Sequence, residues 1–113
     1  FENQLTLCRQ HGLHQVILDP GFGFGKNLEH NFTILARLKE FHALGKPILA
    51  GLSRKSMIHQ LLNLSPGNSL NATTVLNTLA LENGASILRV HDIREAVESV
   101  RLFSYYRLQG MIR

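Results

Sequence analysis

Three short runs of apolar residues recur along this chain, each closed by a polar turn and followed by a helical pattern. The runs are Val16-Ile17-Leu18, Pro47-Ile48-Leu49-Ala50-Gly51-Leu52 and Ile87-Leu88-Arg89-Val90-His91. They end in Asp19-Pro20-Gly21, Ser53-Arg54-Lys55 and Asp92. Nearly continuous apolar runs are the mark of parallel strands covered on both faces, and repeated βα units argue for a parallel sheet with right-handed crossovers. The pattern predicts three parallel strands of one sheet. By itself it does not separate a doubly wound sheet from a slice of a barrel.

The intervening segments read as helices. Phe32 to Leu44 places Ile34, Leu35, Leu38 and Phe41 on one stripe, stopped by Gly45 and Pro47. Ser56 to Asn63 reads as a short helix burying Met57, Ile58, Leu61 and Leu62. Asn71 to Asn83 turns Val75, Leu76, Leu79 and Ala80 inward and ends at Gly84. Asp92 with Glu95 three residues on matches a capping box for the last helix. Phe1 to His11 reads as the tail of a preceding helix, ended by Gly12. No linker, repeat array or low-complexity stretch divides the chain, so residues 1–113 are read as one domain.

Charge and composition narrow the function classes. The net charge is +4 over 113 residues, but the basic residues are scattered and the adjacent basic pair is Arg54-Lys55. A nucleic-acid tract concentrates its cations or interleaves them with aromatics, so small anionic substrates fit better. Nothing approaches the roughly 18 consecutive apolar residues of a membrane span. Cys8 is the single cysteine, which excludes an intrachain disulfide and fits a reducing, cytoplasmic compartment. None of the six histidines forms a His-x-His or His-Glu-x-x-His pattern, so no histidine metal site is expected. The first residue is Phe1 and no signal-peptide plan follows it, so the natural start is expected elsewhere.

The chemistry gathers at the C-terminal ends of the strands, where βα loops and helix starts converge on ligands in parallel α/β folds. Asp19, Lys55, Arg89 and His91 would share that rim. Arg89 and His91, two apart on a strand, would face the same way and suit a phosphate or pyrophosphate. A salt-bridged arginine beside a satisfied histidine is the plainer alternative. Gly21-Phe22-Gly23-Phe24-Gly25-Lys26 is neither a P-loop nor a dinucleotide fingerprint: Pro20 stands at the first P-loop glycine, Asn27 replaces Ser/Thr, and Lys26 takes the third fingerprint glycine. Alternating glycines instead describe a mobile loop presenting at least one phenylalanine to the site, although both rings could be core. Ser53-Arg54-Lys55-Ser56 lies at a strand-to-helix turn, where free backbone N–H groups could receive a carboxylate.

These segments resemble the dihydropteroate synthase family closely. The likeness is carried by Asp19-Pro20-Gly21-Phe22-Gly23-Phe24-Gly25-Lys26, by Gly51-Leu52-Ser53-Arg54-Lys55-Ser56, and by Gly84-Ala85 through Arg89-Val90-His91-Asp92. The resemblance runs over essentially the whole chain and implies the last three β/α units of a (β/α)8 TIM barrel, with the three parallel strands adjacent in chain order and the helices on one outer face only. It implies an enzyme that joins dihydropterin pyrophosphate to para-aminobenzoate, releasing pyrophosphate. It further implies that Asp19, Gly51, Lys55 and Arg89 bind the pterin, and that Arg89, Val90 and His91 bind pyrophosphate. Phe24, Lys55 and Ser56 would meet para-aminobenzoate. Mg2+ would be held with the pyrophosphate through a residue of the N-terminal part of the barrel, and a homodimer is expected.

One departure is Ala72-Thr73, where the family commonly carries Gly then Ser or Thr early in the penultimate helix. A barrel of this kind needs about 250 residues, so these residues alone are expected to be inactive. The rival reading is a pterin-binding methyltransferase acting with a corrinoid partner. Such an enzyme needs no pyrophosphate site, and Lys55, Arg89 and His91 argue against it. A non-enzymatic homologue would have no reason to keep the same four strand-end residues.

Overall fold

The structure is a computed structural model and describes residues 1–22 and 27–111. Five α-helices are described: α1 (Glu2–Gln10), α2 (Leu28–Ala36), α3 (Ser56–Leu62), α4 (Leu70–Glu82) and α5 (Ile93–Met111). Two short strands, β1 (Leu49–Ala50) and β2 (Ile87–Leu88), pair in parallel with Leu49 opposite Ile87. Leu18 adds a parallel bridge to Ile48 on the other side of β1. The three apolar runs are thus parallel neighbours in chain order, but regular ladder forms over much less of each run than the sequence pattern marks. The backbone bonds that hold them are few: Leu49 N–H to the Leu18 carbonyl at 2.7 Å, Ile87 N–H to Ile48 at 3.2 Å and Arg89 N–H to Ala50 at 3.0 Å.

The core forms where these stretches meet the helices. Ile48, Ala50 and Leu52 are buried together with Leu38, Met57 and Ala80. Phe22, the first ring of the glycine-rich turn, belongs to this core at 5% exposure. Phe24 and its neighbours Gly23, Gly25 and Lys26 lie outside the described residues.

Several helical expectations change. The single helix read over Phe32 to Leu44 is two elements: α2, and a 3₁₀ segment Leu38–Leu44 beyond a break at Arg37. Asn27 starts α2 early, its side chain accepting the His30 N–H at 2.8 Å, the usual work of an N-cap. A three-residue turn places Leu38 and Phe41 on one side. There Leu38 is fully buried, and Phe41 meets the Phe1 ring edge-on with centroids 5.3 Å apart.

In α3 Met57 and Ile58 are buried, but Leu61 and Leu62 are exposed. In α4 the buried face carries Thr73, Leu76, Asn77 and Ala80, while Val75 and Leu79 are open. The face is rotated because α4 must pack along α5 as well as cover the core. α5 meets it with small residues, Ala96 and Ser99, leaving Val97, Val100 and Tyr106 outside. Gly84 follows α4 at φ 101° with the His42 ring pressed against it, so both its backbone and its lack of a side chain are required. No helix among the described residues is long and apolar enough to cross a membrane.

Candidate active site

Asp19 directly follows Leu18, the bridged residue of the first extended run. One oxygen of Asp19 accepts the Gly21 N–H at 3.0 Å, a turn that needs the left-handed Gly21, φ 73°. The other oxygen accepts from Arg89 Nη1 at 3.0 Å, across 70 residues of sequence. Arg89 reaches it over Gly51: a Cβ built on Gly51 would lie 2.5 Å from Arg89 Nη2. Gly51 is therefore the floor on which the guanidinium rests, at the end of β1.

Beyond Gly51 the chain turns through Ser53 and Arg54 into α3. Ser53 is 3% exposed, and its hydroxyl accepts the His91 backbone N–H at 3.2 Å and lies 2.9 Å from His91 Nδ1. Arg54 adopts a left-handed backbone, φ 53°, and its N–H is held by the Thr73 hydroxyl at 3.1 Å. Its guanidinium grips Asp92 with two bonds, 3.2 and 2.8 Å, and donates to the Pro66 carbonyl at 2.6 Å. The Asp92 carboxylate assigned to a helix cap is thus turned to Arg54. Its bond from Arg54 holds the Asp92 carboxyl below the usual carboxylate range against the opposing effect of desolvation, and raises Arg54 in return. Thr73, second residue of the Ala72-Thr73 departure, thus braces the loop that carries Lys55.

Gly51, Ser53, Lys55, Arg89, Val90 and His91 line one cleft of about 220 Å³. Lys55 is half-buried in an extended conformation just before α3, and Ser56 is the exposed first residue of that helix. Arg89 and His91 do share the cleft, although not by strand alternation. Ladder pairing ends at Leu88 and His91 sits in a bend, so Ser53 rather than the pleat orients its ring. Three nitrogen-bearing side chains, Lys55, Arg89 and His91, line this cleft, an arrangement suited to a ligand with an anionic end. A larger hollow of about 810 Å³ runs along α5 past Val100, Leu102 and Tyr105, away from every strand end.

Sequence reasoning brought forward Asp19, Lys55, Arg89 and His91, and the structure gathers the last three in the cleft with Asp19 paired to Arg89. It missed the roles of Ser53, Arg54 and Thr73. Ser53 and Arg54 stand inside a motif already singled out, but hydroxyl-to-ring and guanidinium-to-carboxylate pairings 38 residues apart leave no local signal.

Comparison with known proteins agrees with this geometry. The dihydropteroate synthase of Escherichia coli (strain K12) is 50% identical over 104 residues, 90% of this chain and 37% of that protein. The dihydropteroate synthase of Haemophilus influenzae is 41% identical over 105 residues, 91% of this chain and 38% of that protein. The Yersinia pestis DHPS solved with a pterine-sulfa conjugate superposes with a TM-score of 0.93 at 41% identity, covering 96% of this chain and 44% of that one. The chain therefore spans less than half the length of each of these relatives. The sequence model described as pterin binding enzyme matches residues 1–91, which contain every strand-end residue of the cleft, and the chain belongs to that family.

Proposed function

We propose that residues 1–113 are the C-terminal part of a single pterin-binding domain, the last three β/α units of a (β/α)8 barrel, and that the whole protein is a dihydropteroate synthase. It would condense 6-hydroxymethyl-7,8-dihydropterin pyrophosphate with para-aminobenzoate to give 7,8-dihydropteroate and pyrophosphate. The observation that carries this reading is the Asp19–Arg89 pair laid over Gly51, opening on a cleft that also holds Lys55 and His91.

The roles follow from the chemistry of each group. Asp19 can accept two N–H bonds from the amino-pyrimidine edge of a pterin, and Lys55 donates to its oxygen and ring nitrogen. Arg89 stacks on the ring and reaches the pyrophosphate, where Val90 and His91 complete the site. Phe24 and Ser56 meet para-aminobenzoate, Ser56 at its carboxylate. In the reaction the arylamine nitrogen bonds to the pterin methylene carbon, the carbon–oxygen bond to pyrophosphate breaks, and the amine loses a proton. Donors aimed at the departing oxygen stabilise charge as it develops, where electrostatic help counts most.

Mg2+ belongs to this reading as a companion of the substrate pyrophosphate. Among the described residues no group of three or more His, Cys, Asp or Glu could hold a metal ion. Hard cations need several oxygen ligands, and the rim carboxylates Asp19 and Asp92 each meet an arginine. In this reading the ion is held by a part of the barrel outside this chain. A cytoplasmic homodimer completes the proposal, supported by the unpaired Cys8 and by the open apolar stripe of α5.

The test is turnover by a full-length protein containing this chain. Supplied with dihydropterin pyrophosphate, it should release pyrophosphate only when para-aminobenzoate is present. Pterin binding without such release would refute the synthase reading and favour the corrinoid-linked methyltransferase.

A further inference from the structure

Among the described residues, the group that hydrogen-bonds the His91 ring is the Ser53 hydroxyl, buried at 3% exposure, and both of its hydrogen bonds there go to His91. We infer that Ser53 is a positioning residue that fixes the His91 imidazole in the tautomer carrying its proton on Nε2, so that this nitrogen donates to the leaving pyrophosphate. The inference rests on the anion-binding reading of the cleft and names how that reading is achieved.

The argument is one of hydrogen-bond capacity. A serine hydroxyl has one proton to give and two lone pairs to offer. The His91 backbone N–H takes one lone pair at 3.2 Å. With the ring neutral, the buried hydroxyl proton finds its acceptor in Nδ1 at 2.9 Å, whereas a proton on Nδ1 would strand it; the ring proton therefore lies on Nε2. With the ring charged, Nδ1–H donates to the second lone pair and Nε2 still carries a proton. In either state the nitrogen on the far side from Ser53 is a donor. Holding backbone and ring of one residue at the same oxygen also restrains both side-chain torsions of His91, which no strand pairing reaches.

A purely structural Ser53 would tie two loops together without caring about the tautomer, and the experiment separates the two roles. In a full-length protein containing this chain, long-range proton–nitrogen NMR on ¹⁵N-histidine-labelled material at alkaline pH reports the His91 ring, identified by its loss in His91→Ala. An unprotonated Nδ1 is expected in the unaltered protein. Ser53→Ala should move the ring towards a tautomer average, weaken product inhibition by pyrophosphate about tenfold and lower kcat about tenfold, the loss expected of one hydrogen bond. The KM for para-aminobenzoate should stay within about twofold. Ser53→Thr should restore the ring signature and pyrophosphate binding, and Ser53→Ala should add little on a His91→Ala background.

A protonated Nδ1 in the unaltered protein overturns the inference, as does full additivity of the two alanine variants. If Ser53→Ala fails to fold, the unaltered spectrum and the Ser53→Thr variant decide. If His91→Ala leaves pyrophosphate binding unchanged, the anion reading itself falls and the donor role with it, whatever the tautomer.

Discussion

Replacing Gly51 with alanine tests the centre of the cleft without removing any group that touches a ligand by charge. The new methyl carbon would sit 2.5 Å from Arg89 Nη2 and 2.9 Å from its Cζ. Ordinary contact requires about 3.5 Å, so the guanidinium must retreat by about 1 Å. A retreat of that size along the Asp19 bond would lengthen it from 3.0 Å to beyond hydrogen-bonding range. Stability should hardly change: the ion pair is largely exposed, 56% and 38% at its two side chains, and such pairs contribute below about 1 kcal/mol. Gly51 is not among the residues with positive φ, so alanine is not strained there. Arg89 would nonetheless lose its station over the ligand. One displaced charge-assisted bond, discounted to about 1.4 kcal/mol for partial exposure, lowers pterin affinity about tenfold. Calorimetric titration of a full-length protein with a dihydropterin, paired with a thermal melt, measures both. Unchanged affinity, or a collapse of the melt, would refute the reasoning.

Asp19→Asn keeps an acceptor but loses the charge-assisted pair, so dihydropterin affinity should fall about tenfold or more by calorimetry; no change would remove Asp19 from the site. Arg89→Ala should weaken both pterin and pyrophosphate, whereas His91→Ala should slow turnover roughly a hundredfold yet spare a pyrophosphate-free pterin; equal loss of that pterin in both variants would contradict the division. Because Arg54 depresses Asp92, the clamp stabilises the fold fully above the unfolded carboxyl pKa and is lost as pH falls through the lower, folded one. Denaturant unfolding across the acid range should therefore show an acid-side loss in the parent that Asp92→Asn lacks, and superimposable pH profiles would exclude the clamp. Finally, the open stripe of α5 predicts dimers of the full-length protein at micromolar concentration, which light scattering showing only monomer would exclude.

The apolar runs, their order, their parallel sense and the strand-end placement of Asp19, Lys55, Arg89 and His91 were legible in the sequence. Short-range alternation of runs and turns carries that information, and chemically distinctive residues stand out at run ends. Burial along the helices was legible only in part. Leu76 and Ala80 could be read as inward, but Val75, Leu79, Leu61 and Leu62 could not be read as outward, because one helix must satisfy two neighbours and periodicity names a stripe without naming what covers it. The break at Arg37 depended on how Leu38 and Phe41 met the core. The strand-end residues were thus marked locally, while their geometry was decided by contacts between segments distant in sequence. Gly51 is a floor only because Arg89 crosses it, and Asp92, whose carbonyl starts α5, is also a clamp only because Arg54 reaches its carboxylate. Ser53 holds His91 because two loops, 38 residues apart, close on each other at a strand end.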